Sequence, residues 1–324
     1  MNKILQRFRS AETLYPVIQP FDTRMLPVGG DHQLYIEQCG APNGFPVLVL
    51  HGGPGGGCNP MMRRFFDPGF YRAVLFDQRG CGKSRPFSCV KENTTQHLIR
   101  DMELIRQTLG IGRWVLFGGS WGATLALLYA QQFPDRVTHL VLRAPFLMTR
   151  RELDWFYAGG AARFRPESWE RFTDPIPRNE HDDLISAYHR RLFSGDVNEE
   201  IRFGTRWLEW ESTLCRMNSP SRSGNGNGAY ARTFARLETH YFLNRGFLDE
   251  DGQILAGMHR IADIPGSIIH GRYDLVCPPE SAWSLAKQWK RVELEFVLAG
   301  HAISETEIQR KLAATMNGLR TVLG

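Results

Sequence analysis

The clearest pattern along the chain is a series of short apolar runs, each followed by turn residues. They are FPVLVLHGG (45–53), YRAVLFDQRG (71–80), RWVLFGGS (113–120), VTHLVLRAPF (137–146), IPGSIIHGRYD (264–274) and VELEFVLAGH (292–301). Near-continuous apolar strands of this length are typical of a parallel sheet whose faces are both covered by helices. The pattern therefore predicts an α/β fold with a mostly parallel central sheet.

Helical spacing marks the segments between these runs. In TTQHLIRDMELIRQTLG (94–110), Leu98, Met102 and Ile105 lie three or four residues apart, and Gly110 provides a stop. Ahead of them, LPVGGDHQLYIEQCG (26–40) has a Gly-Gly-Asp turn between two extended stretches, which predicts an antiparallel hairpin at one edge of the sheet. Alternating strands and helices indicate βαβ units.

The pattern changes at about residue 147, where strands give way to amphipathic helices rich in aromatic residues. Within this part, SPSRSGNGNGAY (219–230) is predicted to be a surface loop. We expect residues 1–146 and 259–324 to form the α/β domain. Residues 147–258 are expected to form a helical cap inserted after the sixth strand.

Composition narrows the class of protein. With 324 residues and 42% hydrophobic content, the chain is long enough to bury a large core. The net charge of +5 comes from basic residues interleaved with acidic ones, so no nucleic-acid partner is expected. Neither an apolar leader core nor a run approaching about 18 apolar residues occurs, which predicts a cytoplasmic protein without a membrane partner. Nothing in the pattern indicates an oligomeric state.

The six cysteines are scattered without CxxC pairs. This spacing argues against a zinc site and against a disulfide framework, so the cysteines are expected to be free thiols. We expect the protein to need neither a metal nor another cofactor.

One serine stands out because it interrupts an apolar run. Gly118-Gly119-Ser120-Trp121-Gly122 matches GxSxG, after a predicted strand and before a predicted helix. Flanking glycines remove the Cβ atoms that would collide at a sharp turn. An ordinary helix N-cap is the alternative role for Ser120, but it would not require glycine two residues away on both sides. The context favours a nucleophile.

A serine nucleophile needs a base and an acid, expected in the chain order Ser, Asp or Glu, His. His301 follows the last apolar run, and Asp274 closes the run before it, at the carboxyl end where open α/β sheets place their sites. Glu305 and Asp263 are weaker candidates for the acid, because one follows His301 and the other precedes its strand.

An oxyanion hole is expected from HGGPGGG (51–57), through the backbone N–H of Gly53 paired with that of Trp121. His51 is interpreted as a hydrogen-bonded turn residue. The segment DQRGCGKS (77–84) is interpreted as a structural turn in which Asp77 pairs with Arg79.

Taken together, the motifs resemble those of the prolyl iminopeptidases of the α/β-hydrolase fold over nearly the whole chain. The resemblance runs through HGGPGGG, FDQRGCGKS, FGGSWG, LDWFY, LEWE, FARLETHYF, HGRYDLVCP and AGH. It implies a serine exopeptidase that releases proline from peptides with a free amino terminus. The expected partners are therefore small peptides with an N-terminal proline.

The resemblance also implies roles for residues outside the motifs of the serine, histidine and aspartate. Glu211 and Glu238 would hold the free amine of the substrate, and Cys277 would lie near the pocket. An apolar pocket for the pyrrolidine ring would be formed by aromatic residues, namely Phe146, Phe156, Tyr157 and Trp210. Helical spacing also makes some of these aromatics plain core residues.

Departures from the family pattern occur at Ala123, at Arg143-Ala144-Pro145-Phe146 and in the polar segment 215–229, and the last two could reshape the pocket. Two alternatives stay open. One is a general esterase or amidase that uses the same three residues without preferring proline, and the other is a binding protein that has lost catalysis.

Overall fold

The computed structural model describes residues 14–217 and 227–324. Its strands are Asp22–Pro27 (β1), Gln33–Gly40 (β2), Phe45–Leu50 (β3), Tyr71–Phe76 (β4), Trp114–Gly119 (β5), Val137–Arg143 (β6), Gly266–Gly271 (β7) and Val292–Val297 (β8). They form one sheet in the order β1-β2-β4-β3-β5-β6-β7-β8. The strands from β3 to β8 are parallel, while β2 runs antiparallel to both β1 and β4. The α/β fold and the edge hairpin are confirmed.

The α-helices are Thr95–Thr108 (α1), Trp121–Gln132 (α2), Arg150–Tyr157 (α3), Pro166–Thr173 (α4), Leu184–Leu192 (α5), Val197–Cys215 (α6), Gly228–Leu243 (α7), Gln253–Ala256 (α8), Pro279–Lys287 (α9) and Thr306–Leu323 (α10). Short 3-10 helices lie at Pro60–Phe65, before α1, and between later α-helices at Pro134–Arg136, Ala161–Phe164, Arg178–Asp183, Arg245–Phe247 and Gly257–Ile261. No helix within the described ranges has the length and apolarity needed to cross a membrane.

Strand β3 shows why both faces of the sheet are covered. Leu48 and Leu50 pack into the core on one face, and Val47 and Val49 pack into the core on the other. Since successive side chains of a strand point to opposite faces, a continuous apolar run is what such a position requires. The carboxyl ends of these buried strands form the edge that carries the GxSxG turn.

Helices α3 to α8 all lie between β6 and β7, which are neighbouring strands of the sheet. Aromatic side chains hold several of these helices together; for example, Phe172 of α4 stacks on Tyr188 of α5 with ring centroids 4.5 Å apart. The division into an α/β domain and a cap, at the boundaries given above, stays a prediction.

The predicted loop 219–230 is only partly described, because residues 218–226 lie outside the described residues. Its last part is helical rather than a loop. Helix α7 begins at Gly228, and the side chain of Asn227 accepts a hydrogen bond from the Ala229 N–H. Asparagine is a favoured N-cap because its side-chain oxygen satisfies an orphan N–H. This explains why α7 begins within the predicted loop and not after it.

Candidate active site

Ser120 lies at the sharp turn between β5 and α2. Its backbone has φ 56° and ψ −125°, a region that residues with a Cβ rarely adopt. Although Ser120 occupies the N-cap position, its side chain makes no capping hydrogen bond. The geometry therefore favours the nucleophile over the N-cap role.

The glycines around Ser120 are required by close backbone contacts. A Cβ on Gly118 would collide with the carbonyl oxygen of Gly122, and a Cβ on Gly122 would collide with the carbonyl oxygen of Leu50. Gly52 lies on the other side of the serine, where its Cβ position is 3.3 Å from the Cβ of Ser120. The GxSxG turn and the HGGPGGG segment therefore meet at Ser120.

His301 and Asp274 form a buried hydrogen-bonded pair. The distance between His301 Nδ1 and Asp274 Oδ2 is 2.8 Å, and the other carboxylate oxygen accepts the N–H groups of Val276 and Cys277 at 2.9 Å each. Burial acts to raise the pKa of Asp274, but His301 and these hydrogen bonds outweigh it, and the pKa lies below its ordinary value. Asp274 is thus held as a carboxylate.

Burial also lowers the pKa of His301 below its ordinary value, with the charge of Asp274 opposing this shift. The imidazole is therefore neutral near neutral pH, as a general base must be. In the described part of the chain, Ser120 and His301 form no hydrogen bond, although the Ser120 hydroxyl contacts the thiol of Cys277. Catalytic hydrogen bonds are often long in free enzymes and shorten when substrate binds.

The weaker acid candidates have other partners. Glu305 accepts the N–H of Met217 at 3.0 Å, and the exposed Asp263 lies 3.3 Å from Lys290. Since the carboxylate that reaches His301 is that of Asp274, the geometry favours the original choice.

Arg143 is a buried residue that the sequence reasoning missed as part of the site. Its Nη1 donates to the carbonyl oxygen of His301 at 2.7 Å, and its guanidinium fills the space beside Gly119. Burial lowers its pKa, while Asp274 and neighbouring thiols oppose the shift. An arginine at the end of a buried apolar strand was the available signal, because charged residues are rarely buried without a partner.

The HGGPGGG segment forms a tight turn against Ser120. Gly53 has φ +109°, a conformation that glycine adopts readily, and the Gly56 N–H donates to the Gly52 carbonyl oxygen at 3.0 Å. Trp121 is the first residue of α2, where backbone N–H groups have no acceptor within the helix. Among the described residues neither the Gly53 nor the Trp121 N–H donates a hydrogen bond.

His51, the first residue of this segment, is a hydrogen-bonded turn residue, as interpreted from the sequence. Its Nε2 accepts the backbone N–H of Gln78 at 3.1 Å, and the side-chain amide of Gln78 donates to the carbonyl oxygen of His51 at 3.0 Å. Burial lowers the pKa of His51. The ring is therefore a neutral structural group.

The predicted pairing of Asp77 with Arg79 is wrong. Arg79 forms a buried ion pair with Asp101 at 2.7 Å, whereas Asp77 accepts the backbone N–H groups of Cys58 and Lys83 at 2.7 Å each. Asp77 therefore binds backbone groups of its own turn and of the segment after HGGPGGG, while the side chain of Arg79 extends to helix α1. Sequence proximity alone could not reveal the acceptor on that helix.

Glu211 of α6, which is partly buried, and Glu238 of α7, which is buried, form a second acidic group. The two carboxyl groups lie close enough for each to shift the pKa of the other, and the indole N–H of Trp207 donates to Glu238 Oε2 at 2.6 Å. Burial raises the pKa of Glu211 to about 7, and burial together with the charge of Glu211 raises the pKa of Glu238 well above its ordinary value. Trp207 was not singled out from the sequence, although it lies four residues before Glu211 on the same helix face.

The glutamate pair lies close to the catalytic residues along two helices. Four residues after Glu211, the carbonyl oxygen of Cys215 accepts the Ala302 N–H at 2.8 Å, next to His301. Four residues before Glu238, the ring of Phe234 reaches within 3.3 Å of the Cβ position of Gly53. Each glutamate is therefore one helical turn from a segment of the catalytic site.

The predicted pocket aromatics occupy two kinds of environment. Tyr157 stacks on Trp207 with ring centroids 4.4 Å apart, and burial followed by the charges of Glu238 and Glu211 raises the pKa of its hydroxyl. That hydroxyl is buried and has no hydrogen-bond partner within the described residues. Tyr157 thus faces the acidic pair.

The other three aromatics pack among further side chains. Trp210 donates to the carbonyl oxygen of Phe156 at 3.1 Å and stacks on Phe172, which are contacts of a helix-packing core. Phe146 packs edge-to-face on Phe242, with ring centroids 6.0 Å apart. Their service as walls of a pyrrolidine pocket stays a prediction, as does a binding role for Cys277, whose side chain is buried beside Ser120.

Comparison with known proteins places this geometry in context. Residues 46–308 match the model of a family described as alpha/beta hydrolase fold. The proline iminopeptidase of Xylella fastidiosa (strain Temecula1 / ATCC 700964) is 51% identical over 298 residues, which covers 91% of this chain and 95% of that protein. The proline iminopeptidase of Arabidopsis thaliana is 46% identical over 323 residues, which covers 98% of this chain and 85% of that protein.

Solved structures share the fold at lower sequence identity. The proline iminopeptidase of Mycobacterium smegmatis matches with a TM-score of 0.60 and 18% identity, covering 94% of this chain and all of that one (100%). An esterase from Exiguobacterium antarcticum matches with a TM-score of 0.56 and 20% identity, covering 90% of this chain and 96% of that one. Because an esterase and a peptidase both match at low sequence identity, these likenesses establish the fold alone.

Proposed function

The chain belongs to the proline iminopeptidase family of the α/β-hydrolase fold, and from this premise we propose how its residues carry out the reaction. It is a serine hydrolase that acts as a prolyl aminopeptidase. In the proposal, Ser120 is the nucleophile, His301 the base and Asp274 the group that orients His301. The amides of Gly53 and Trp121 form the oxyanion hole.

The reaction begins when Ser120 Oγ attacks the carbonyl carbon of the N-terminal proline and His301 Nε2 accepts the hydroxyl proton. The carbonyl oxygen becomes an oxyanion that accepts hydrogen bonds from the two amides. As the C–N bond breaks, His301 returns the proton to the leaving nitrogen of the shortened peptide. A water molecule, deprotonated by His301, then attacks the prolyl ester, and proline leaves as Ser120 recovers its proton.

The observation that carries the proline-specific part of this proposal is the pairing of the partly buried Glu211 with the buried Glu238. Burial and the closeness of the two carboxyl groups make the pair costly to ionise, which is why their pKa values are raised. The protonated secondary amine of an N-terminal proline supplies one positive charge and two N–H donors, which matches this pair. An N-acylated proline has neither, so blocked substrates should be rejected.

The decisive experiment compares proline coupled to a fluorogenic amine with its N-acetylated form and with the alanine analogue, using Ser120→Ala as the blank. Turnover of the free prolyl substrate, with little turnover of the blocked form, is the expected result. Equal turnover of the blocked form would contradict the amine site and indicate a general esterase or amidase. Failure of the wild-type protein to react with a fluorophosphonate probe would instead indicate a binding protein without catalysis.

A cytoplasmic location is also part of the proposal. It is supported by the six cysteines, all within the described residues and none in a disulfide. Fractionation of cells that express the tagged protein would test this, since recovery outside the cytoplasmic fraction would contradict it.

A further inference from the structure

Helix α7 packs directly against the segment that contains Gly53. The Cε2 atom of Phe234 lies 3.3 Å from the position that a Cβ would occupy on Gly53. One turn further along, Leu237 approaches the corresponding position on Gly55 to 3.0 Å. Side chains of α7 therefore fill the space that these glycines leave open.

The same helix reaches the second proposed oxyanion donor through Tyr241. The ring of Tyr241 packs edge-to-face on the indole of Trp121, with centroids 4.9 Å apart. Its hydroxyl donates to Asn93 Oδ1 at 2.7 Å, and the indole N–H of Trp121 donates to Gln78 Oε1 at 3.1 Å. Both rings are buried. The side chain of Trp121 is therefore held on two sides, at the residue whose amide begins helix α2.

These contacts fall on one face of α7. Phe234, Glu238 and Tyr241 follow one another at spacings of four and three residues, which places them in a row along a helix. One rigid element thus carries a carboxyl group of the acidic pair and packs against both oxyanion donors.

We propose that Phe234 and Tyr241 are positioning residues that hold the Gly53 and Trp121 amides in place. The proposal rests on the oxyanion assignment in the proposed function. Oxyanion donors must lie about 2.7–3.1 Å from the developing charge, and a displacement of about 1 Å costs about 10²-fold in rate. Helix α7 is accordingly needed for every acyl substrate, including substrates that have no amine for Glu238 to bind.

The test measures two substrates with the full-length enzyme: a fluorogenic prolyl amide, and p-nitrophenyl acetate, which has no amine. Phe234→Ala is expected to lower kcat for both by a similar factor, about tenfold to 10², with the KM for the prolyl amide within about threefold of wild type. Phe234→Leu should give a smaller loss of the same form. Tyr241→Phe keeps the ring and should retain wild-type kcat, whereas Tyr241→Leu should lower it for both substrates.

Phe203→Ala is the matched control, because Phe203 is a buried phenylalanine of α6 that packs on Tyr188 and contacts neither donor. It should keep wild-type kcat on the ester despite losing the same side-chain volume. Melting temperatures of all variants identify any that fail to fold. The rate of fluorophosphonate labelling, which also needs the oxyanion hole, should fall in Phe234→Ala and not in Phe203→Ala.

Loss of prolyl turnover alone in Phe234→Ala, with ester turnover and labelling intact, would overturn the proposal and make Phe234 a wall of the proline pocket. Unchanged turnover of both substrates would overturn it as well. Failure of the proposed function looks different: wild-type enzyme would then hydrolyse the ester and not the prolyl amide. The ester measurements would still test the positioning role in that case.

Discussion

Two acidic groups of the candidate site, Asp274 and the Glu211–Glu238 pair, have surroundings that shift their pKa values in opposite directions. Asp274 accepts hydrogen bonds from His301 and from two backbone N–H groups, and its pKa is lowered. Within the described residues, the indole of Trp207 donates to Glu238 alone of the two glutamates, and the pKa values of Glu211 and Glu238 are raised. Asp274 at the sheet edge is therefore held as a carboxylate, whereas the glutamate pair of the helical part is proposed to give up a proton when the substrate ammonium binds.

The proposal assigns Asp274 to catalysis and the glutamate pair to the selection of substrates with a free amine. A carboxylate that is already charged stabilises the imidazolium without any reorganisation, which benefits every acyl substrate. In the proposal, the glutamate pair gains negative charge when the ammonium binds, and it therefore favours substrates that carry a free amine. Variants at the sheet edge should damage both prolyl and ester turnover, and variants of the glutamate pair should damage prolyl turnover alone.

The largest effect is expected from Asp274→Asn. Asparagine keeps the shape but favours the wrong tautomer of His301, and the loss in kcat should be about 10⁴-fold for prolyl amide and ester alike. Steady-state kinetics with both substrates measure this. Asp263→Asn, at an exposed position paired with Lys290, is the control and should behave as wild type. A loss confined to the prolyl amide would remove Asp274 from the catalytic group.

Neutralising one residue of the glutamate pair, Glu211 or Glu238, should give the next largest effect. In Glu238→Gln or Glu211→Gln, the substrate ammonium loses a charged partner in a buried site, and kcat/KM for the prolyl amide should fall about 10²- to 10³-fold. Ester turnover should stay at the wild-type level. Glu209→Gln is the matched control on α6, because Glu209 is half-exposed and pairs with Arg206. Equal losses on both substrates would mean that the pair supports the fold and does not select the amine.

The two substrates should also differ in their pH dependence. Below about pH 7 the glutamate pair holds protons that amine binding must expel, since the pKa of Glu211 is raised to about 7. The value of kcat/KM for the prolyl amide should therefore fall about tenfold per pH unit below pH 7. Ester turnover should persist to lower pH, until His301, whose pKa is depressed, becomes protonated. Coincident acid limbs for the two substrates would contradict the contrast.

Features that depend on short stretches of chain could be predicted from the sequence. Apolar runs predicted the parallel strands, because alternate side chains of a strand point to opposite faces and both faces of this sheet are buried. The glycines around Ser120 predicted its turn, because they lie where the backbone makes close contacts. His301 and Asp274 were found through their place after strands, since parallel strands bring their carboxyl ends together. The geometry then favoured Asp274 over Asp263 and Glu305.

Features that depend on packing between distant segments were not predictable. The ion pair of Arg79 with Asp101 joins a turn to a helix, and the hydrogen bond of Arg143 to His301 spans two strand ends. Glu211 and Glu238 were identified through resemblance, because nothing local distinguishes a buried glutamate from an exposed one on an amphipathic helix. Trp207 was missed because nothing local shows that its indole reaches Glu238 on another helix.

Trp207→Phe should give the smallest effect, and it tests how much one hydrogen bond to Glu238 contributes to amine binding. Phenylalanine can keep the stacking on Tyr157 but removes the only side chain among the described residues that donates a nitrogen-bound hydrogen to Glu238. One hydrogen bond to a charged group contributes about 1.5 kcal/mol, so KM for the prolyl amide should rise about tenfold while ester kinetics stay unchanged. Because the indole lowers the pKa of Glu238, its loss should also move the prolyl acid limb to higher pH. A raised KM without that movement would assign Trp207 to pocket shape and leave the raised pKa of Glu238 to burial and the charge of Glu211.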